Sequence, residues 1–259
     1  MLDGVASHLP EGSLWIPLIL VFVGSALQVA TGVGLGLIAA PAILFVLDGP
    51  AAVQAAIILN LTLSALLLPS EASQVSVVRL MAIGRWALIG IPLGGLLLMA
   101  VGDTSLKLIC GVVVILAVLQ LRFFPFPEVA QANRQRWLNR FGGTVSGAMT
   151  GALAAPGPVA LWALLSTGLD SLSVRATLRA FFVYAYVIAL VVSLVLAGTN
   201  ATTWSTVLVL LPAVLLGIAA GIVGRGLISG DTLRVLLELV LLAMGVAMLL
   251  KGVSDAGGF

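Results

Sequence analysis

The stretch Thr31-Gly32-Val33-Gly34-Leu35-Gly36 interrupts an apolar run that extends from Ile16 to Leu47. Glycine recurs at every second position where a membrane helix would need its most regular backbone. As a helix, Ile16 to Ala30 reaches only about 22 Å, at 1.5 Å per residue, against ~30 Å of hydrocarbon. Leu35 to Leu47 is shorter still. Two half-helices meeting at a turn fit these lengths better than one continuous span. A second run of the same kind, Phe141 to Leu169, is broken at Ala154-Ala155-Pro156-Gly157-Pro158.

The composition around these breaks sets the solvent. Of 259 residues, 61% are apolar and 8% charged, where a soluble domain carries about 25% charged residues. Too few ionised groups exist to cover a water-exposed surface, which excludes an ordinary soluble enzyme. The apolar fraction equally excludes disordered and collagenous chains. At about 20 residues per helix, roughly eight passages fit this length. The fold class is an all-α polytopic membrane protein.

Cofactor and catalytic chemistry find little footing. Cys110 is the only cysteine, so no intrachain disulfide or cysteine cluster can form, and its apolar neighbours make it core. His8 is the only histidine and sits in the N-terminal segment, which removes Ser–His catalysis and a His-based metal site within the membrane. No cofactor, metal or enzymatic activity is expected. Nothing resembles the basic, aromatic-interleaved face of a nucleic-acid binder. The segment Met1 to Glu11 lacks the basic start of a secretory signal.

The remaining runs are Ala51–Leu68, Trp86–Val101, Leu106–Leu121, Arg179–Ala197, Trp204–Val223 and Leu233–Leu250. Lys and Arg flank spans on the cytoplasmic side, so charge counting tests the breaks. If both broken runs cross once, seven basic residues face one side and five the other. If each dips in and returns, all ten arginines share one face, leaving Lys107 and Lys251 opposite. Hairpins follow, with both termini outside and the Arg-rich connection cytoplasmic. Trp15, Trp86, Trp137 and Trp204 stand at run boundaries, where amphipathic rings prefer the headgroup level; Trp162 packs within the second half of the fifth run.

The halves echo each other. Gly102-Asp103-Thr104-Ser105-Leu106-Lys107 parallels Gly230-Asp231-Thr232-Leu233-Arg234, Ile91-Pro92 parallels Leu211-Pro212, and Ala52-Val53-Gln54-Ala55 parallels Ser173-Val174-Arg175-Ala176. The first repeat covers 1–121, a cytoplasmic Arg-rich linker 122–140, and the second repeat 141–259. One re-entrant-like broken hairpin plus three transmembrane helices takes each half to the face opposite its start. The two repeats are then inverted, as in many secondary transporters.

Mid-membrane breaks expose backbone N–H and C=O groups that hydrocarbon cannot satisfy. A half-helix starting near Gly36 presents free amides and the positive end of its dipole, and glycine permits close approach. The second half-helix, from about Gly157 with Pro158 in its first turn, does the same. Two such ends converging describe an anion site. The alternative is that the glycines serve tight helix crossing.

The string Gly32-Val33-Gly34-Leu35-Gly36-Leu37-Ile38-Ala39-Ala40-Pro41-Ala42-Ile43-Leu44, followed by Gly49 and an Ala-rich helix, resembles the signature of the sulfite-exporter/toluene-sulfonate-uptake-permease family, TauE/SafE. The half-repeat at Gly151 to Gly168 and the run pattern extend the resemblance to nearly the whole chain. The second copy departs from the pattern, with Ala154-Ala155-Pro156-Gly157-Pro158 in place of a glycine cluster. The resemblance implies a transporter of sulfite, organosulfonates and related small anions in a bacterial inner (cytoplasmic) membrane.

The candidate substrate-binding residues are Gln28, Thr31, Gly32, Gly34, Gly36, Asn60, Ser64, Thr150, Gly151, Pro156, Gly157 and Arg179. Asn60 and Ser64 share one helical face and either reach oxyanion oxygens or bond across helices. Arg179, one turn beyond Arg175, either snorkels or supplies a fixed countercharge with paired donors. The hydroxyls of Tyr184 and Tyr186 either assist or find a carbonyl. Glu238, an acid inside a span, is a coupling or ion-pair candidate, with Arg234 as its simple partner. Glu71, after Pro69, reads as interfacial. Asn200-Ala201-Thr202 matches a glycosylation sequon that a bacterial host leaves unmodified.

The sequence thus reads as a secondary transporter of sulfite or of sulfonates such as toluenesulfonate or sulfoacetate. It would work by alternating access in the lipid bilayer, with a proton or cation as candidate coupling partner. No oligomeric state is assigned. The rivals are an anion channel, which needs a continuous polar path, and a non-transporting scaffold, which needs no mid-membrane breaks.

Overall fold

The computed structural model describes residues 14–47, 49–123, 131–227 and 229–257. The N-terminal segment with His8 lies outside them. Among the described residues the chain forms ten α-helices and one 3-10 segment, without strands: α1 (Trp15–Thr31), α2 (Leu35–Leu44), α3 (Gly49–Leu67), the 3-10 segment Leu68–Gln74, α4 (Val77–Ala100), α5 (Asp103–Phe123), α6 (Ala132–Leu153), α7 (Gly157–Leu165), α8 (Ser171–Ala197), α9 (Ala201–Gly224) and α10 (Gly230–Gly257). Six are long and apolar enough to cross a membrane: α3 with its 3-10 extension, α4, α5, α8, α9 and α10. Their outer faces carry large apolar residues such as Leu93 and Leu96 on α4 and Val191 and Val195 on α8, which is how a chain presents itself to lipid.

Several boundaries differ from the apolar runs. α4 starts at Val77, ahead of Trp86, and α8 starts at Ser171, ahead of Arg179. Arg79 and Arg85 therefore ride within the first three turns of α4, and Arg175 within the first two of α8. The stretch read as a linker over 122–140 is helical at both ends, because α5 runs to Phe123 and α6 begins at Ala132. Hydropathy marks where a helix enters lipid, whereas backbone bonding carries it further into the polar layer. Side-chain caps fix starts: Asp170 accepts from the amides of Leu172 and Ser173 at α8, Asn200, the sequon residue, accepts from Thr203 N–H at α9, and Ser229 Oγ accepts from Thr232 N–H at α10. Hydrogen bonds from Ser173 hold the Asp170 carboxyl below its ordinary pKa.

Helix pairs close on glycine. α4 and α6 make the most extensive contact in the molecule. There, Gly90 and Gly94 meet the α6 backbone, while Gly143, Gly147 and Gly151 meet the α4 backbone. A Cβ on Gly151 would collide with the Ile91 carbonyl oxygen. Gly217 and Gly221 of α9 press on α1 in the same way, and Gly111 of α5 meets Gly245 of α10. Without a hydrophobic drive between helices in lipid, such close backbone packing supplies the attraction.

Polar contacts gather at two ends. At one, Lys107 bonds Asp255 at 2.7 Å, Gln54 Nε2 donates to Gly198 O at 2.9 Å, and Lys251 lies over the Phe45 ring. At the other, Glu238 pairs with Arg122 (3.0 Å) and Arg234 (3.1 Å), and Arg85 and Arg140 flank the Trp86 ring.

Candidate functional site

α1 ends because Gly32 adopts φ 88°, a left-handed conformation that costs glycine nothing, and returns its N–H to Gln28 O at 2.9 Å. The Thr31 hydroxyl sits between Leu27 O (2.8 Å) and Val33 O (2.7 Å), bracing the turn. α2 then folds back along α1, with Gly24 facing Leu35 and Ile38. Gly34 is where the two approach most closely: a Cβ there would stand 2.7 Å from Gly24 O and 2.8 Å from Gln28 N. This reversal sets the Gln28 side chain beside the start of α2, where its Oε1 accepts the Gly36 N–H at 3.2 Å. A first-turn amide is thus held by a neutral acceptor in the place an anion's oxygen would take.

The second break reaches the first. A Cβ on Gly36 would meet the Tyr186 hydroxyl at 2.9 Å, Ala154 O at 3.6 Å and Asn60 Oδ1 at 3.7 Å. Tyr186 OH donates to Ala154 O at 3.1 Å. A Cβ on Gly157 would lie 3.5 Å from Val33 Cγ1. Residues of α2, α3, α8 and both interruptions therefore converge around Gly36. Asn60 Nδ2 donates to Ala56 O at 2.9 Å, which leaves Oδ1 buried without a partner, as are Ser64 Oγ one turn on and Thr206 Oγ1 of α9. Such a buried orphan costs about 1–3 kcal/mol, so it calls for a water or a ligand.

At its own end, the second break is built differently. Ala154 closes α6 at φ 53°, left-handed without being glycine, and its N–H bonds Thr150 O at 2.9 Å. Ser146 Oγ donates to Pro156 O, and Thr150 Oγ1 to Ser146 O at 2.7 Å. α7 starts at Gly157 with Pro158 in its first turn, which removes one donor.

Of the sequence candidates, Gln28, Gly34, Gly36, Asn60 and Gly157 come together, with Gly32, Thr31 and Pro156 shaping the turns. Gly151 does not join them: it packs on α4, which is the helix-crossing role. Thr150 is spent on its own helix. Ser64 is buried along the Asn60 face. Arg179 is buried and held by Glu71 Oε2 at 2.6 Å, with Arg175 Nε on Oε1 at 3.2 Å. Glu238 is bound by two arginines. The Tyr186 hydroxyl finds a carbonyl, Ala154 O, and in doing so stands beside Gly36, which Tyr184 does not. The available signal was the position of Tyr186 two turns beyond Arg179 on the same face, whereas Tyr184 packs against Gly84. Cys110 is buried core.

Compared with known families, the chain matches Sulfite exporter TauE/SafE over residues 17–248. No curated protein and no solved structure matches the chain. The matched family consists of membrane transporters of sulfur anions and is not enzymatic. With six apolar helices of spanning length and a family match over most of its length, the chain is an integral membrane protein and belongs to the sulfite exporter TauE/SafE family.

Proposed function

We propose that this chain is a secondary transporter that carries sulfite or sulfonates such as toluenesulfonate or sulfoacetate by alternating access, with the cargo seated at the Gly36 end of α2 between the two breaks. The observation that carries this reading is the convergence at Gly36. A helix N-terminal amide, the Tyr186 hydroxyl and the unpartnered Asn60 Oδ1 meet there in a buried place, and the unpartnered Ser64 Oγ lies one turn further along α3. The amide and dipole favour negative charge, and Ser64 can donate to an oxyanion. Asn60 Oδ1 asks for a proton donor, which fits hydrogensulfite, a monoanion that still carries an O–H.

Inverted repeats with re-entrant hairpins are the architecture we infer. Exchanging α1–α5 for α6–α10 maps the α4–α6 contact onto α9–α1, and the α5–α10 and α3–α8 contacts onto themselves, and all of these are major interfaces. Phe45, past the end of α2, lies with Lys251 at the same end as Lys107 and Asp255. The far end of α1 lies beside Gly224 and Arg225. The arginine-bearing end is cytoplasmic in this reading, in a bacterial inner membrane. Rocking of the two halves would expose the cargo to each side in turn, with a proton or cation for coupling.

The test is thermal unfolding in detergent with added anions. A ligand at about a hundredfold its Kd stabilises by about 2.7 kcal/mol, which for a chain of this size raises Tm by roughly 5–10 °C. Sulfite or a sulfonate gives that rise, and sugars and amines give none. Stabilisation by an amine with no response to any oxyanion contradicts the assignment.

A further inference from the structure

A second cluster lies behind the first break and has no part in the seat at Gly36. Glu71, on the 3-10 segment between α3 and α4, holds two guanidiniums at once: Arg179 Nη1 at 2.6 Å and Arg175 Nε at 3.2 Å. The Arg179 side chain is only 7% exposed and the Glu71 side chain 14%. The Arg175 stem lies across the break, since a Cβ on Gly32 would touch its Cγ at 3.6 Å. Arg225 adds a third positive charge close enough to act on Arg179. Two guanidiniums thus share one carboxylate.

The other acid held by two arginines does a different job. Glu238 joins α5 to α10, and its partners Arg122 and Arg234 are half exposed, at 60% and 49%. That pair staples two helices at the interface. Glu71 instead ties a non-α connection to α8 beside the interruption. Its segment is bonded in the weaker 3-10 pattern and is otherwise exposed at Pro69, Ser70, Ala72, Ser73 and Gln74. One further bond, from Ser76 N–H to Thr177 Oγ1 at 3.0 Å, anchors the segment's far end.

We propose that Glu71 is a gate at the arginine-rich mouth. Its carboxylate occupies a two-guanidinium anion seat on Arg175 and Arg179, and cargo moving between Gly36 and that face takes its place. A sulfite or sulfonate group presents two oxygens to guanidinium donors much as a carboxylate does. The exchange requires no net unpairing of the arginines, and leaving the buried Arg179 bare would be costly. Cargo identity rests on the function proposed above; the gating contact does not.

Two readouts separate these. In a Cys110→Ala background, Val33→Cys places a thiol at a position that is 5% exposed in the break. With no anion present, Glu71→Gln speeds its reaction with a bulky maleimide by tenfold or more. An unchanged rate in a folded Glu71→Gln protein overturns the gate. If that variant misfolds, Glu71→Asp, too short to span both guanidiniums, carries the test and also speeds labelling; a folded Asp variant at the parent rate overturns the gate equally. For the exchange, Glu71→Gln binds sulfite about tenfold more tightly than the parent, because the internal competitor is gone. Faster labelling with unaltered sulfite affinity overturns the exchange. Faster labelling with no sulfite binding in either protein points instead to a wrong cargo.

Discussion

The two helix breaks occupy corresponding places in the chain and are built from opposite materials. The first uses glycine for both reversal and contact: Gly32 supplies the left-handed turn, Gly34 the closest backbone approach, and Gly36 an amide that binds the Gln28 carboxamide oxygen. The second makes its left-handed turn with alanine and starts its half-helix on Gly157-Pro158. Proline has no N–H, so α7 offers fewer first-turn donors than α2. The difference teaches that the candidate seat is lopsided. The first break presents the donors, and the second contributes a carbonyl, Ala154 O, that positions the Tyr186 hydroxyl.

Substitutions sharpen or break this contrast. The largest effect is expected at Gln28, whose Oε1 now holds the Gly36 amide. Gln28→Glu keeps the size and puts a fixed negative charge on the seat. Like-charge juxtaposition costs several kcal/mol, so sulfite no longer raises Tm above that of the unliganded variant, which itself unfolds earlier because a carboxylate is buried. A retained sulfite response would move the seat elsewhere. Next comes Gly32→Ala, where the added Cβ has ordinary space but the conformation is strained; unfolding measurements should show a loss of about 1–2 kcal/mol. Ala154→Gly is expected to be smallest, near zero, because relief of the left-handed strain is offset by about 0.5–1 kcal/mol of extra chain entropy. If Ala154→Gly were the more damaging of the two, the breaks would have been assigned the wrong roles.

The sequence exposes the breaks because membrane spans have a minimum length and glycine and proline punctuate them, so Ile16–Leu47 and Phe141–Leu169 stand out without any fold in hand. It does not expose which side chains gather at Gly36. Gln28 and Gly36 are eight residues apart and on different helices, and only the tight reversal at Gly34 joins them. Gly151 and Gly36 are both glycines beside a break, yet one meets the α4 backbone and the other the bonded Tyr186 hydroxyl and Ala154 carbonyl. Glu71 reads as an interfacial acid because its partners, Arg175 and Arg179, lie about a hundred positions away. Long-range pairing leaves no local periodicity to read.

The central claim is that an oxyanion sits at the start of α2. It is tested most directly by a structure of the protein with selenite, a heavier analogue of sulfite whose anomalous scattering marks its position. The account predicts a peak within hydrogen-bond reach of the Gly36 amide, with the Gln28 carboxamide swung away. A selenite peak confined to other sites, with Gln28 still bonded to Gly36, would contradict it.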